Sequence, residues 1–244
     1  MTKKINLFKT LKTIKNEHFS LNNPQLQELI SKLEQEAKCG NSESKINTCE
    51  FKKVCEIYKR YEKMEEFYIA EKYLETWVLE ANNWIDTTIK FSQIEWDFAQ
   101  LESNSNVLFI WSWPFPETAI HLHKTYWCNI ECVDICKISI DISRQVIKKM
   151  WFGECIKITR GRWEDMNYSK YTHIFLAAHV ENKENIVKNI DSWKIILARF
   201  GELHRSFIYS PFEYFKYFWT QIQILWELRN NTELIHSTVV FKIN

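Results

Sequence analysis

Asn106-Val-Leu-Phe-Ile-Trp-Ser-Trp-Pro-Phe-Pro116 decides how this chain folds. Its first six residues form a short apolar run directly after the polar Ser103-Asn104-Ser105, which predicts a strand buried on both faces. Further along, 112–126 reads as loop and helix, 129–135 as a second strand carrying Asp134 near its end, and 139–152 as a second helix. Segments 156–160, 172–178 and 194–200 read as three more strands, with a helical stretch over 182–189 before the last. Strands alternating with helices imply an α/β fold with a doubly wound, mostly parallel sheet. The closing segment 238–243 is expected to add an antiparallel strand at the sheet edge.

Working back from that run, the first hundred residues read as helices. Asn23 caps a helix with Pro24 at its first position, and Leu26, Leu29, Ile30 and Leu33 fall at i, i+3, i+4 and i+7. The polar stretch Gly40-Asn-Ser-Glu-Ser44 ends it. From 51 to 101 little breaks a helix, with one bend expected at Asn82-Asn83. Trp77, Trp84, Trp96, Trp219 and Trp226 sit in helical patterns and are expected to fill the seam between two parts, 1–102 and 103–244.

The chain has 244 residues, with 4 Gly against 11 Trp and 16 Phe. Average usage would put glycine at about 7 % of positions, so any phosphate or cofactor loop built on several glycines is expected to look altered. Lys and Arg number 32 against 31 Asp and Glu, a balance that does not advertise a nucleic-acid or anionic-membrane partner. No apolar run has the length of a signal peptide or a bilayer span. Seven cysteines without C-x-x-C spacing indicate neither a disulfide framework nor a common zinc site, and a reduced cytoplasmic chain is the expectation.

In open α/β sheets a ligand binds outside the carboxyl ends of the strands, where strand order reverses. Residues 111–116, 134–137 and 160–165 therefore matter most. Asp134 is suited to accept two hydrogen bonds from ribose hydroxyls, although strand ends also carry solvated acids. Arg199, a cation at the end of a buried strand, needs a partner, either a substrate carboxylate or an internal acid. Cys128, Cys132 and Cys136 share one strand face near His121 and His123; core packing explains them better than a metal site.

Several segments also carry a family likeness. Phe109-Ile-Trp-Ser-Trp-Pro-Phe-Pro116 resembles the F-[IV]-G-S-G-P-L-P loop of nicotianamine synthases, with both glycines replaced by Trp. Ile89-Lys-Phe-Ser-Gln-Ile-Glu-Trp96 is similar to the family's L-K-L-S-x-L-E-F helix, and Phe175-Leu-Ala-Ala178 to its F-L-A-A strand. Arg199-Phe-Gly201 with Arg205-Ser-Phe-Ile-Tyr209 resembles its R-S-A and R-A-F-L-Y-P region, and the R-F-G form is shared with staphylopine synthases. Glu233 to Lys242 resembles the closing strand E-V-V-N-S-V-I-I-A-R-K.

The resemblance implies a Rossmann-like, class I methyltransferase-type domain over 103–244 behind a helical domain over 1–102. It further implies S-adenosylmethionine as co-substrate, whose 3-amino-3-carboxypropyl group passes to the amine of a small amino-acid acceptor to make a metal-chelating metabolite. Glu95 matches the glutamate of the L-E-F helix and is expected to act as base. Trp111, Ser112, Trp113, Pro114, Asp134, Ile135, Arg162 and Ala177 are expected to border the donor, and Arg199, Arg205 and Tyr209 the substrate. Nothing in the chain fixes the oligomeric state, for which a homodimer is the working expectation.

Three departures fall on the adenosine side. Trp111 and Trp113 stand where glycine would allow close backbone approach or φ > 0, Arg162 replaces an acidic or small polar residue, and Cys136-Lys137 replaces Asp-Pro. Either the indoles fill the nucleoside pocket, or the loop has shifted and an indole packs on the ligand. The rival functions are a non-catalytic binding protein on this scaffold and a small-molecule methyltransferase.

Overall fold

The computed structural model describes residues 19–39, 48–79, 83–111, 113–202, 208–214, 218, 220–229 and 236–244. Helices come first: α1 (Pro24–Cys39), α2 (Thr48–Thr76) and α3 (Asn83–Phe98). The remainder runs β1 (Asn106–Ile110), α4 (Glu117–Tyr126), β2 (Asn129–Asp134), α5 (Lys137–Lys149), β3 (Ile156–Arg160), β4 (His173–Leu176), α6 (Lys183–Lys188), β5 (Ile195–Phe200), β6 (Ile222–Leu228) and β7 (Ser237–Ile243).

The seven strands form one sheet in the order β3-β2-β1-β4-β5-β7-β6. β1 pairs in parallel with both β2 and β4, so strand order reverses beside β1, at the place where such sheets bind ligands. Period-two alternation sends Val107 and Phe109 into one core and Leu108 and Ile110 into the other. The first core also holds Ala70 and Tyr73 of α2, Trp96 of α3 and residues of α4 and α5. The second packs α6 and the segment around Phe212 and Tyr214 on the opposite face. Because α2 and α3 share a core with the sheet, the helical part is bolted to the α/β part over one face of the sheet.

Two expectations at the end of the chain are corrected. The strand expected at the edge pairs with β5 on one side and β6 on the other, so β7 lies inside the sheet and β6 forms the edge. β6 contains Trp226, read above as helical. Ile222, Ile224, Trp226 and Leu228 alternate with Gln223 and Glu227, a pattern of strand-favouring residues too short to distinguish from a helical turn. Its register slips between Ile224 and Trp226, and Trp226 stacks on Phe98 at 5.2 Å.

Of the tryptophans expected in the seam, Trp96 is buried, Trp226 packs on α3, and Trp77 is exposed. Trp219 and the Trp84 side chain lie outside the described residues, as does the expected helix stop at 40–44. The long helical stretch 51–101 is two helices, ending at Thr76 and restarting at Asn83.

Candidate functional site

α2 crosses the carboxyl edge of the sheet, and its residues 59, 62, 63 and 66 fall at i, i+3, i+4 and i+7, one face. Lys59 places its ammonium 4.0 Å from the centre of the Trp111 ring, just beyond β1. Lys63 donates to Cys136 Sγ at 3.0 Å, just beyond β2. Glu66 accepts the Phe115 N–H at 3.2 Å, and burial, followed by the nearby charge of Glu117, holds its carboxyl well above the usual range.

Glu62 is the centre of this face. Its Oε1 accepts from the Tyr209 hydroxyl at 2.6 Å and its Oε2 pairs with His179 Nε2 at 2.5 Å. A carboxylate can only accept, so Nε2 carries a proton, and an imidazole that is neutral there has its open lone pair on Nδ1. Nδ1 is buried and has no hydrogen-bond partner. The Trp113 ring stands edge-on to the imidazole at 5.5 Å, and the Tyr209 ring at 4.8 Å.

The expected site residues divide. Asp134 ends β2, buried, with Oδ1 accepting the Cys136 N–H at 2.7 Å. Burial raises its carboxyl against the pull of that N–H and of Lys63 and Lys59. Burial would also raise the Cys136 thiol, but hydrogen bonds from Ser139, then Lys63, bring it down to about 7. Pro114 is buried and its carbonyl accepts from Ser143 Oγ at 3.0 Å; the half-buried Ala177 donates its N–H to the Ile110 carbonyl at 3.4 Å. Tyr209 is buried against Glu62. Ile135 is exposed, and the exposed Arg162 pairs with its neighbour Glu164 at 3.1 Å, directed to solvent. Ser112 and Arg205 lie outside the described residues.

Glu95, expected as the base, and Arg199, expected at the substrate, stand against each other. Arg199 donates through Nε at 3.1 Å and through Nη2 at 2.6 Å to Glu95 Oε2, and through Nη2 at 2.6 Å to Ser92. Thr238 donates to Glu95 Oε1 at 2.5 Å, and His236 Nε2 lies 3.8 Å from the same oxygen. Burial would raise Glu95, but the guanidinium beside it, then His236, hold it at about 2. Glu95 is 1 % exposed, and Arg199 has in it an internal carboxylate where a substrate carboxylate was an open alternative. The pair ties α3 to β5. The neighbouring Tyr209 and His236 rings, 6.2 Å apart, connect it to the Glu62–His179 pair.

Glu62, His179, Lys59 and Lys63 escaped the sequence reading. A signal existed, since charges at 59, 62, 63 and 66 repeat at helical spacing, but a charged helix face ordinarily points to solvent.

Fold and site together define a helix-capped, class I methyltransferase-type α/β protein with an acid–imidazole pair at the reversal point of its sheet. No protein-family model and no curated protein matches this chain in sequence. Among solved structures, a glutamate-to-glutamine mutant of MtNAS, a nicotianamine synthase, aligns with a TM-score of 0.82 at 14 % identity, covering 99 % of this chain and 97 % of that one. The same mutant in complex with S-adenosylmethionine aligns at 0.80 and 16 %, covering 99 % and 97 %. MtNAS in complex with MTA and tNA aligns at 0.82 and 16 %, covering 100 % and 97 %. At these identities the likeness establishes the fold, and it does so over helices and sheet together. Among the described residues no helix is long and apolar enough to cross a membrane, and no group of three or more His, Cys, Asp or Glu stands placed to hold a metal ion.

Proposed function

We propose that this protein is an S-adenosylmethionine-dependent transferase of the nicotianamine-synthase kind, passing the 3-amino-3-carboxypropyl group to the amine of a small amino-acid acceptor in the making of a metal chelator. The observation that carries this reading is the whole-length match to MtNAS, structures of which hold S-adenosylmethionine or MTA and tNA. The residues at the reversal point suit such a donor. Asp134 offers a carboxylate at the end of β2 for the ribose hydroxyls, and the cations of Lys59 and Lys63 lie beside it, where a donor carboxylate could be held.

In the transfer, the acceptor nitrogen attacks the terminal methylene of the aminocarboxypropyl chain. The carbon–sulfur bond breaks and sulfur leaves as a neutral thioether, so the leaving group needs no proton. What the protein must supply is a base that takes a proton from the acceptor ammonium, so that the neutral amine can attack, and a fixed approach. His179 Nδ1 supplies the lone pair, and Glu62 fixes the tautomer through Nε2–H and stabilises the imidazolium that forms. Glu95 then has the role of holding Arg199.

Incubation with S-adenosylmethionine and candidate amino acids, in the chain as written and with Trp111→Gly and Trp113→Gly together, is expected to release methylthioadenosine and a carboxypropylated amine. Release of S-adenosylhomocysteine would instead indicate methyl transfer, and neither product from either form would remove the reading. Asp134→Ala is expected to weaken S-adenosylmethionine binding by roughly 10- to 100-fold in calorimetry, as loss of a charged hydrogen bond does. A second reading, a non-catalytic protein with a plugged pocket, is favoured by the indoles of Trp111 and Trp113, in edge-on contact at 5.8 Å within the donor loop. Binding by the double-glycine form alone would make the indoles the plug.

A further inference from the structure

Seven non-glycine residues among those described have left-handed backbone, and five of them are tryptophan: Trp77 (φ 63°), Trp111 (75°), Trp127 (58°), Trp151 (64°) and Trp193 (71°). The other two are Gln100 and Asn182, and Asn tolerates that region readily. A bulky aromatic has no such tolerance, and tryptophan supplies only 11 of 244 residues. By contrast, neither Gly153 nor Gly161 has a φ in the left-handed range.

The places are those where helices stop and turns reverse. The Trp77 N–H bonds to the Tyr73 carbonyl directly after α2, and Trp127 is the left-handed cap of α4, bonding to the His123 carbonyl at 2.8 Å. At the end of α5, the Trp151 N–H reaches the Lys148 carbonyl, and the Phe152 N–H reaches back to the Ile147 carbonyl at 3.1 Å. That closing bond marks a Schellman stop, whose left-handed position belongs to glycine. Trp193 sits in the turn entering β5.

The side chains bury little there, although a lysine lies over three of the rings: Lys149 4.1 Å from that of Trp77, Lys59 4.0 Å from that of Trp111 and Lys242 4.9 Å from that of Trp193. Trp77, Trp127, Trp151 and Trp193 are 62, 72, 88 and 74 % exposed, and Trp111 is partly buried with an indole N–H that has no partner. A backbone shaped for glycine that carries the largest apolar side chain, turned to solvent, is a conflict between local and global structure. It recurs at five places with one residue type.

One chemical relation joins the two residues. Glycine codons GGA and GGG become UGA and UGG by a single first-base change, and UGA is read as stop, as tryptophan or as glycine according to the genetic code of the cell. We infer that positions 77, 111, 127, 151 and 193 are encoded by UGA and are glycine in the protein its own cell makes. The scarcity of glycine and the excess of tryptophan are then one fact. Tryptophans in ordinary backbone with packed rings, Trp96 and Trp226, are true tryptophans encoded by UGG.

At 111 this deepens the transferase reading, since it removes an indole from the donor loop. Positions 127, 151 and 193 precede β2, β3 and β5, at the edge of the sheet opposite the site, so the inference stands or falls there without reference to S-adenosylmethionine. The test is the codon at each position together with peptide masses of the protein isolated from cells that carry the gene. Expected are UGA codons and glycine at 77, 111, 127, 151 and 193, with UGG and tryptophan at 96 and 226. Tryptophan in the peptides covering 127, 151 and 193 overturns the inference, whatever the enzyme assay gives. In a recombinant pair, the form with glycine at the five left-handed positions is expected to melt higher by at least roughly 2–4 °C; an equal or lower melting temperature counts against a backbone built for glycine.

Discussion

The His179→Gln and Glu62→Gln variants are expected to lose roughly 10²- to 10⁴-fold in kcat for the transfer, the usual range for removing a positioned base, with S-adenosylmethionine affinity close to that of the parent. His179→Gln is the more incisive change. Its amide still offers a donor toward Glu62 where Nε2–H stood, but the ring nitrogens are gone, so the donor is kept while basicity is lost. Glu62→Gln leaves the imidazole without the carboxylate that fixes its tautomer at 2.5 Å, and also weakens the 2.6 Å contact from Tyr209. The two losses should be far from additive, because the residues act as one unit. The measurement is single-turnover release of methylthioadenosine in the parent with glycine at 111 and 113, alongside calorimetric S-adenosylmethionine binding. Full kcat in His179→Gln would falsify the assignment of the base, and matching losses of binding and rate would assign the pair to structure alone.

That pair shows where sequence reading ended. The parallel sheet was legible because a strand buried on both faces must be apolar throughout, as 106–110 is, and because helices must separate parallel strands. Asp134 was legible because the end of β2 is a topological place. Glu62 and His179 were not, because each gains meaning only from the other, 117 positions away. β6 was missed for a different reason. Among the described residues its seven pair only with β7, and a short apolar alternation has no local mark to separate it from a helical turn. Trp111 was half legible, since glycine's absence from the loop could be seen. Only the backbone, at φ 75°, shows that the conformation glycine would allow is still there.

The second large effect concerns stability, and it tests the view of Glu95 as the anchor of Arg199. Glu95→Gln removes the charge facing a guanidinium whose side chain is only 12 % exposed. Breaking a buried pair from one side costs about 3–5 kcal/mol, because the remaining charge stays buried without its counter-ion. Changing both residues, Glu95→Leu with Arg199→Met, is expected to recover much of that loss, since no uncompensated charge is left. The dependence on pH has a definite sign. A carboxyl at about 2 in the folded protein and near its ordinary 4.5 when unfolded stabilises the fold fully above about 4.5. The contribution fades as pH falls through that range toward 2, and at neutral pH it is about 3 kcal/mol. Urea unfolding should therefore show the parent losing more stability between pH 7 and pH 3 than Glu95→Gln, which has no carboxyl to titrate at that position. Equal losses would mean that Glu95 is not held by Arg199, and the case for Glu95 as a free base at the carboxyl edge would return.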